Sequence, residues 1–262
     1  MMQDLTITTI QTHLYWEDID KNLAHFDLKI AEIVGPTDII ILPEMFSTGF
    51  TMKPEELAEW HGGKAFSWMQ KKAFEKQCVV VGSLSVKDES NFYNRLYWVN
   101  PDGSYQYYDK RHLFRMGNEH LHYTGGNNKV IIEYKGWKIC PLVCYDLRFP
   151  IWSRNTKANS YDILIYVANW PEVRSYPWKQ LLVARAIENQ VYVVGVNRIG
   201  NDGKGIAHSG DSCCINPKGE VMTTTKANED KTETITLSYS FLNEFRKVFP
   251  VMLDGDDFEI MD

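Results

Sequence analysis

The sequence predicts an α/β protein organised around buried sheet, and three observations carry that expectation. Short, almost wholly apolar runs at 38–44, 78–83, 162–169 and 191–197 have the composition of strands covered on both faces. Stretches at 18–33, 64–77 and 177–189 place apolar side chains at helical spacing, so strand and helix alternate along the chain. With 262 residues, 44% of them apolar, and no linker or low-complexity run, the chain has enough core for one domain over 1–262.

Residues 5–10 alternate as a strand, and 18–33 follow as a helix carrying Ile19, Leu23, Phe26, Ile30 and Ile33, ended by Gly35-Pro36. The strand at 38–44 has Glu44 as its first polar side chain past the edge, at the carboxyl end where open sheets place their sites. A second helix, 64–77, turns Phe66, Met69, Ala73 and Phe74 inward and leads to the strand at 78–83. Residues 92–99 and 105–110 read as strands joined by a turn at 100–103, which delivers Lys110 to a strand end. A polar loop, 111–128, precedes strands at 129–133 and 139–143; the second ends on Cys144, and a helical pattern starts near Pro150. The strand at 162–169, the helix at 177–189 with Leu181, Leu182, Ala184, Ala186 and Ile187, and the strand at 191–197 resume the alternation. A hairpin is expected from 209–215 and 220–225 around the turn 216–219, and a last strand at 233–238.

The net charge of -6 is spread along the chain apart from an acidic end (Asp254, Asp256, Asp257, Glu259, Asp262). No basic face invites nucleic acid or an anionic membrane, so the expected partner is a small molecule. The amino terminus carries an acid where a signal peptide carries positive charge, and no window reaches the roughly 18 to 20 apolar residues of a membrane span. Cys78, Cys140, Cys144, Cys213 and Cys214 are an odd set without the spacing of a disulfide framework. Reduced thiols in a soluble, cytoplasmic protein are the expectation.

Cys144 closes a buried strand and meets polar Tyr145-Asp146, which sets it at a strand-to-helix turn. Unpaired backbone N–H groups and a helix dipole there favour a thiolate, although a free cysteine by itself is more often a small buried hydrophobe. What raises Cys144 to a candidate nucleophile is that Glu44 and Lys110 stand at two other strand ends. A carboxylate can take the thiol's proton, an ammonium lowers its pKa and stabilises an oxyanion, and a turn N–H completes the oxyanion site. These parts suffice for acyl transfer without histidine. His120 and His122 have no HExxH or paired CxxC beside them, so no metal is expected. Residues 200–205 are glycine-rich, but they lack GxGxxG order and lead to a hairpin, so a flexible loop and no cofactor are expected. Of the many aromatics, Trp60, Trp68, Trp98, Trp137, Trp152, Trp170 and Trp178 belong mostly to core or interface, while Trp170 and Phe114 are candidate pocket walls beside strand ends.

Around those three residues the sequence becomes specific. Leu42-Pro43-Glu44-Met45-Phe46, the block from Tyr108 through Lys110 to Phe114, and the block from Leu142 through Cys144 to Pro150 resemble, in this order, the three motifs of the nitrilase (carbon-nitrogen hydrolase) superfamily. The resemblance spans nearly the whole chain. It implies a four-layer α-β-β-α sandwich with Glu44 as general base, Lys110 as oxyanion stabiliser, Cys144 as nucleophile, and a positioning role for Glu119. The run from Cys144 to Arg148-Phe149-Pro150, the compact length and the ending from Phe245 to Pro250 look like the omega-amidase branch, which hydrolyses 2-oxoglutaramate or 2-oxosuccinamate to the oxo-diacid and ammonia. Arg148 is the candidate for the substrate's carboxylate, with Arg115 and Arg174 as alternatives and a structural salt bridge as the competing role. Other amidases of the superfamily, acting on a deaminated-glutathione-type or carbamoyl amide, are the runner-up, and a non-catalytic binding protein on the same fold is the remaining alternative. The resemblance also implies a homodimer or larger assembly, with the helix after Cys144 and the 177–189 helix near the contact.

Overall fold

The computed structural model describes residues 3–256 and 258–260; Met1, Met2, Asp257, Met261 and Asp262, and so part of the acidic end, lie outside the described residues. In chain order the strands are β1 (Leu5–Gln11), β2 (Ile39–Ile41), β3 (Glu59–Trp60), β4 (Val79–Asp88), β5 (Asn91–Val99), β6 (Tyr105–Asp109), β7 (Ile132–Tyr134), β8 (Trp137–Val143), β9 (Ile163–Ala168), β10 (Tyr192–Asn197), β11 (Ile199–Asn201), β12 (Ala207–Ser209), β13 (Cys213–Ile215) and β14 (Lys231–Leu237). The helices are α1 (Ile19–Ala31), α2 (Pro54–Leu57), α3 (Lys64–Lys76), α4 (Pro150–Ser153), α5 (Ser175–Asn189) and α6 (Tyr239–Val248).

One sheet runs β14-β1-β2-β4-β5-β6, with β3 added to β4; the other runs β13-β10-β9-β8-β7. Each has a parallel centre, β1-β2-β4 in register Ile7, Ile39, Val79 and β8-β9-β10 in register Cys140, Leu164, Val193. The two-residue period of a strand then builds the layers. Ile7, Ile39, Ile41, Val79 and Val81 join the second sheet's Leu142 and Ile165 in one core, whereas Ile40 and Val80 join Phe26 of α1 and Met69 of α3 in another. On the far side of the second sheet, α5 buries Trp178, Leu182 and Ala186. A side chain at Gly195 of β10 would start 2.6 Å from Leu182 Cδ1, so glycine is what lets α5 lie this close. The result is an α-β-β-α sandwich.

Helical geometry explains two misplaced side chains. Phe74 lies roughly 80° around α3 from Phe66, off the stripe of Phe66, Met69 and Ala73, and is exposed; Ile187 falls on the far side of α5 from Trp178 and is half exposed. Trp60, on the edge strand β3, is likewise at the surface under the Lys87 ammonium instead of in a core. The helix after Pro150 is only the single turn of α4, because the chain leaves Cys144 in a five-residue 3-10 turn, Cys144–Arg148. The hairpin expected at 209–225 is much shortened: β13 joins β10 at the sheet edge, where all three of its side chains are buried, and across the turn at 216–219 it pairs with the single bridge residue Val221, with Asn216 N donating to Glu220 O (2.9 Å) and Met222 N to Cys214 O (2.7 Å), so 220–225 is not a strand. The glycine-rich stretch is an ordered turn between β11 and β12, in which Asp202 Oδ1 accepts from Lys204 N (2.8 Å) and Ile206 N (2.9 Å). Helix α6 was not anticipated, although Ser238, whose Oγ caps the Phe241 N–H, and the basic last turn at Arg246-Lys247 are helix signals in the sequence. Among the described residues no helix is long and apolar enough to cross a membrane.

Candidate active site

Glu44 follows β2, Lys110 follows β6 and Cys144 follows β8, so two facing sheets bring three distant strand ends together. Lys110 Nζ lies 2.9 Å from Glu44 Oε1 and 2.9 Å from both oxygens of Glu119, and all three side chains are fully buried. Glu44 Oε1 also accepts from Asn94 Nδ2 (2.8 Å), and its Oε2 accepts from the Asn169 backbone N–H (2.7 Å). Glu119 Oε2 accepts from Phe114 N at 2.6 Å, which folds the loop carrying the 3-10 turns Arg115–Gly117 and Glu119–Leu121 around its own carboxylate. The expected positions of Glu44, Lys110, Cys144 and Glu119 therefore meet in one cluster.

Cys144 stands in front of that cluster, on the wall of a cavity of about 640 Å3. Its φ of 44° is left-handed, a conformation that costs a non-glycine residue about 1 to 2 kcal/mol and bends the chain sharply at the candidate nucleophile. Asp146 holds the bend. Its buried carboxylate accepts from Val143 N (3.0 Å), His112 N (3.0 Å) and the Tyr108 hydroxyl (2.8 Å), tying the Cys144 turn to the β6 end that carries Lys110. Asp146, Asn94 and Asn169 were not singled out from sequence, because their partners lie across the fold.

The electrostatics correct one expectation. Burial, then the Glu44 charge, push the Cys144 thiol well above its ordinary value; Lys110 pulls it down and is outweighed. With only a one-turn α4 beyond Pro150, no long helix dipole offsets this. The proton accordingly stays on sulfur at rest, and attack needs a base to take it. Burial also pulls Lys110 down, but Glu119 and Glu44 prevail and hold the ammonium above its ordinary value. Burial raises Glu119, with Lys110 opposing. The other four cysteines are raised by burial as well, so what distinguishes Cys144 is its neighbours and its access to the cavity.

Phe114, Trp170, Arg148 and Arg174 all line the cavity, while Arg115 is exposed on its 3-10 turn and does not. Arg148 lies 4.9 Å from the Trp170 ring centre and Arg174 5.4 Å from that of Phe114. Among the described residues neither guanidinium has a carboxylate partner. The β11–β12 hairpin adds Asp202 and Lys204 from its turn and His208 from β12, a wall hidden from sequence because strand pairing carries it there. His120 and His122 lie at a 3-10 turn, not on a strand face. His13, His25 and Asp230 bring one ligand atom each within 4.8 Å, but the Thr12 hydroxyl already bridges His25 and Asp230, and Lys29 pairs with Asp230 at 2.9 Å. That cluster is satisfied without an ion.

Burial, reinforced by the Arg198 guanidinium, pushes the His208 imidazole down to about 4. A depressed value means that the contribution to stability is complete above the unfolded value near 6.5 and is lost as pH falls towards 4, where only the unfolded chain binds the proton. By pH 5 the loss amounts to about 2 kcal/mol. Urea unfolding at pH 7 and pH 5 should show His208→Gln losing clearly less stability between the two than the native chain; equal losses would place the titrating group elsewhere.

The carbon-nitrogen hydrolase family model matches residues 6–247. The chain is 48% identical over 261 residues to the omega-amidase YafV of Escherichia coli strain K12, covering 99% of this chain and 100% of that one. It is 34% identical over 220 residues to the 2-oxoglutaramate amidase of Bacillus subtilis strain 168, covering 83% and 85%. A crystal structure of a CN-hydrolase superfamily protein from Xanthomonas campestris, with an arsenic adduct in its active site, superposes with a TM-score of 0.96 at 41% identity, covering 99% and 100%. A nitrilase-superfamily protein of Saccharomyces cerevisiae, at 22% identity and covering 95% of each chain, shares the fold with a TM-score of 0.86.

Proposed function

The chain belongs to the carbon-nitrogen hydrolase family, the nitrilase superfamily, and on that premise we propose that it is a thiol-dependent amidase for the terminal amide of a small dicarboxylate monoamide such as 2-oxoglutaramate or 2-oxosuccinamate. The supporting observation is the pairing, in one cavity, of Cys144 with two guanidinium groups, Arg148 and Arg174, that no described carboxylate neutralises. Such forks suit an anionic substrate.

In this mechanism Cys144 sulfur attacks the amide carbon while its proton passes to Glu44, and the carbonyl electrons move onto an oxygen that faces the Lys110 ammonium. Collapse breaks the C–N bond; the leaving nitrogen takes the proton from Glu44 and departs as ammonia. Water then attacks the thioester, giving a proton to Glu44, and the acid leaves as the proton returns to sulfur. Glu119 holds Lys110 in place, and Phe114 and Trp170 orient the two arginines. We further propose a single domain acting in the cytoplasm as a homodimer with α4 and α5 near the contact. Exposed Ile151, Tyr176 and Ile187 on those helices support the contact, and five unpaired, buried cysteines support a reducing compartment.

An ammonia-release screen over omega-amides, ureido acids and nitriles tests this. Dicarboxylate monoamides should be turned over fastest, without carbon dioxide; carbon dioxide from ureido acids would indicate carbamoyl chemistry, and no release from any amide would end the reading. The cavity exceeds the bulk of a five-carbon diacid, which favours including a longer, deaminated-glutathione-type amide as the second candidate. Arg148→Met should lower kcat/KM for the dicarboxylate monoamide roughly ten- to a hundredfold while sparing a neutral short amide. Equal losses on both would make Arg148 structural, and Arg174→Met on the same pair would then identify the carboxylate partner.

A further inference from the structure

Two carboxylates buried side by side repel each other, and one ammonium cannot satisfy all four of their oxygens. Glu44 and Glu119 both direct an Oε1 atom at Lys110 Nζ, and an uncharged side chain stands between them. This is Asn94, in the middle of β5 and fully buried. Its Nδ2 donates to Glu44 Oε1 at 2.8 Å and to Glu119 Oε1 at 3.2 Å, using both of its hydrogens. Its backbone oxygen accepts from Lys110 N at 3.0 Å, so the residue also anchors the end of β6. Asn94 Oδ1 has no partner among the described residues. The amide is nevertheless fixed in this sense, since turning it over would set its oxygen against two carboxylate oxygens.

We propose that Asn94 is a positioning residue, whose Nδ2 group holds the Glu44 and Glu119 carboxylates apart so that Lys110 and the proton acceptor for Cys144 keep one geometry through the reaction. The proposal rests on Glu44 being the base. Leucine would fill the space without donors, serine has one hydrogen to give, and aspartate would bring a third negative charge. The charged and titratable groups around this point are Glu44 after β2, Lys110 after β6, Glu119 and Tyr123 from the loop between β6 and β7, and Cys144 after β8. Without the bridge, the cluster relieves its repulsion by binding a proton, and the base is disabled at a higher pH.

The test measures kcat, KM and the pH profile of kcat/KM for Asn94→Ala and Asn94→Asp, using the best monoamide from the screen. Alkylation of Cys144 by iodoacetamide across the same pH range serves as a turnover-free readout. Asn94→Ala should lose roughly ten- to a hundredfold in kcat with little change in KM, and its acid limb should move up by about one pH unit in both readouts. Asn94→Asp, nearly isosteric, should be slower than Asn94→Ala at pH 7 and recover towards it in acid, where a protonated aspartate can donate one bond; urea midpoints of both variants separate a lost fold from a lost position. A kcat near the native value, or a loss of rate with an unmoved acid limb in both variants, would overturn the proposal. Full activity in Glu44→Gln would instead remove the base assignment beneath it, whereas an inactive Glu44→Gln beside an unchanged Asn94→Ala profile would remove this inference alone.

Discussion

Cys144→Ala should release no ammonia from any amide and form no acyl-enzyme, while unfolding in urea at nearly the same midpoint as the native chain. The sulfur stands at the cavity wall, only 9% exposed, and its removal deletes one atom from the edge of an open space instead of hollowing out a core. Alanine takes up the left-handed backbone at 144 at a cost similar to that of cysteine, so the turn braced by Asp146 should survive. Cys144→Ser should also be nearly inactive, because a hydroxyl holds its proton more tightly than a thiol already raised by burial. Conservative changes at Cys78, Cys140, Cys213 and Cys214, which lie outside the cavity wall, should keep most of the activity. Ammonia release above about one-hundredth of the native rate in Cys144→Ala, or a trapped adduct on another cysteine, would show that the nucleophile has been misassigned.

The second large effect is expected at the ion pair. Glu44→Gln and Lys110→Met should each lower kcat by roughly 10²- to 10⁴-fold, one through loss of the proton acceptor and the other through loss of the oxyanion contact. Their stabilities should part company. Lys110→Met leaves Glu44 and Glu119 facing each other without a counter-ion in a fully buried site, a change worth about 3 to 5 kcal/mol, whereas Glu44→Gln leaves the Glu119 pair in place. The double variant removes one charge of each sign and should be more stable than Lys110→Met alone. Its rate should not fall by the product of the two single losses, since the groups act on one step. Urea midpoints and kcat for the three variants check both statements. A fully multiplicative loss of rate would mean that Glu44 and Lys110 serve separate steps.

Where the chemistry leaves the sheets is legible in the residue pattern. The apolar runs after Asp38 and Gly136 end at Glu44 and Cys144, and the turn at 100–103 sets the hairpin strand that ends at Lys110, so the three strand ends are marked before any contact is known. The period of two also divides Ile39 and Ile41 from Ile40, and with them the inter-sheet core from the helix-facing one. Pattern is least informative where a helix carries more apolar residues than its buried face holds: helical rotation takes Phe74 and Ile187 off the buried faces of α3 and α5, and 220–225 has too little to bury to become a strand. Which donors Glu44 receives is a tertiary matter: Asn94 and Lys110, 50 and 66 residues away, reach it through strand pairing within its own sheet, and Asn169, 125 residues away, meets it only when the second sheet stacks on the first. Tertiary packing also decides the state of the thiol. Adjacent cation or not, the direction of the Cys144 pKa follows from how much water is excluded and how many carboxylates share the space, and both are properties of packing that a strand pattern does not contain.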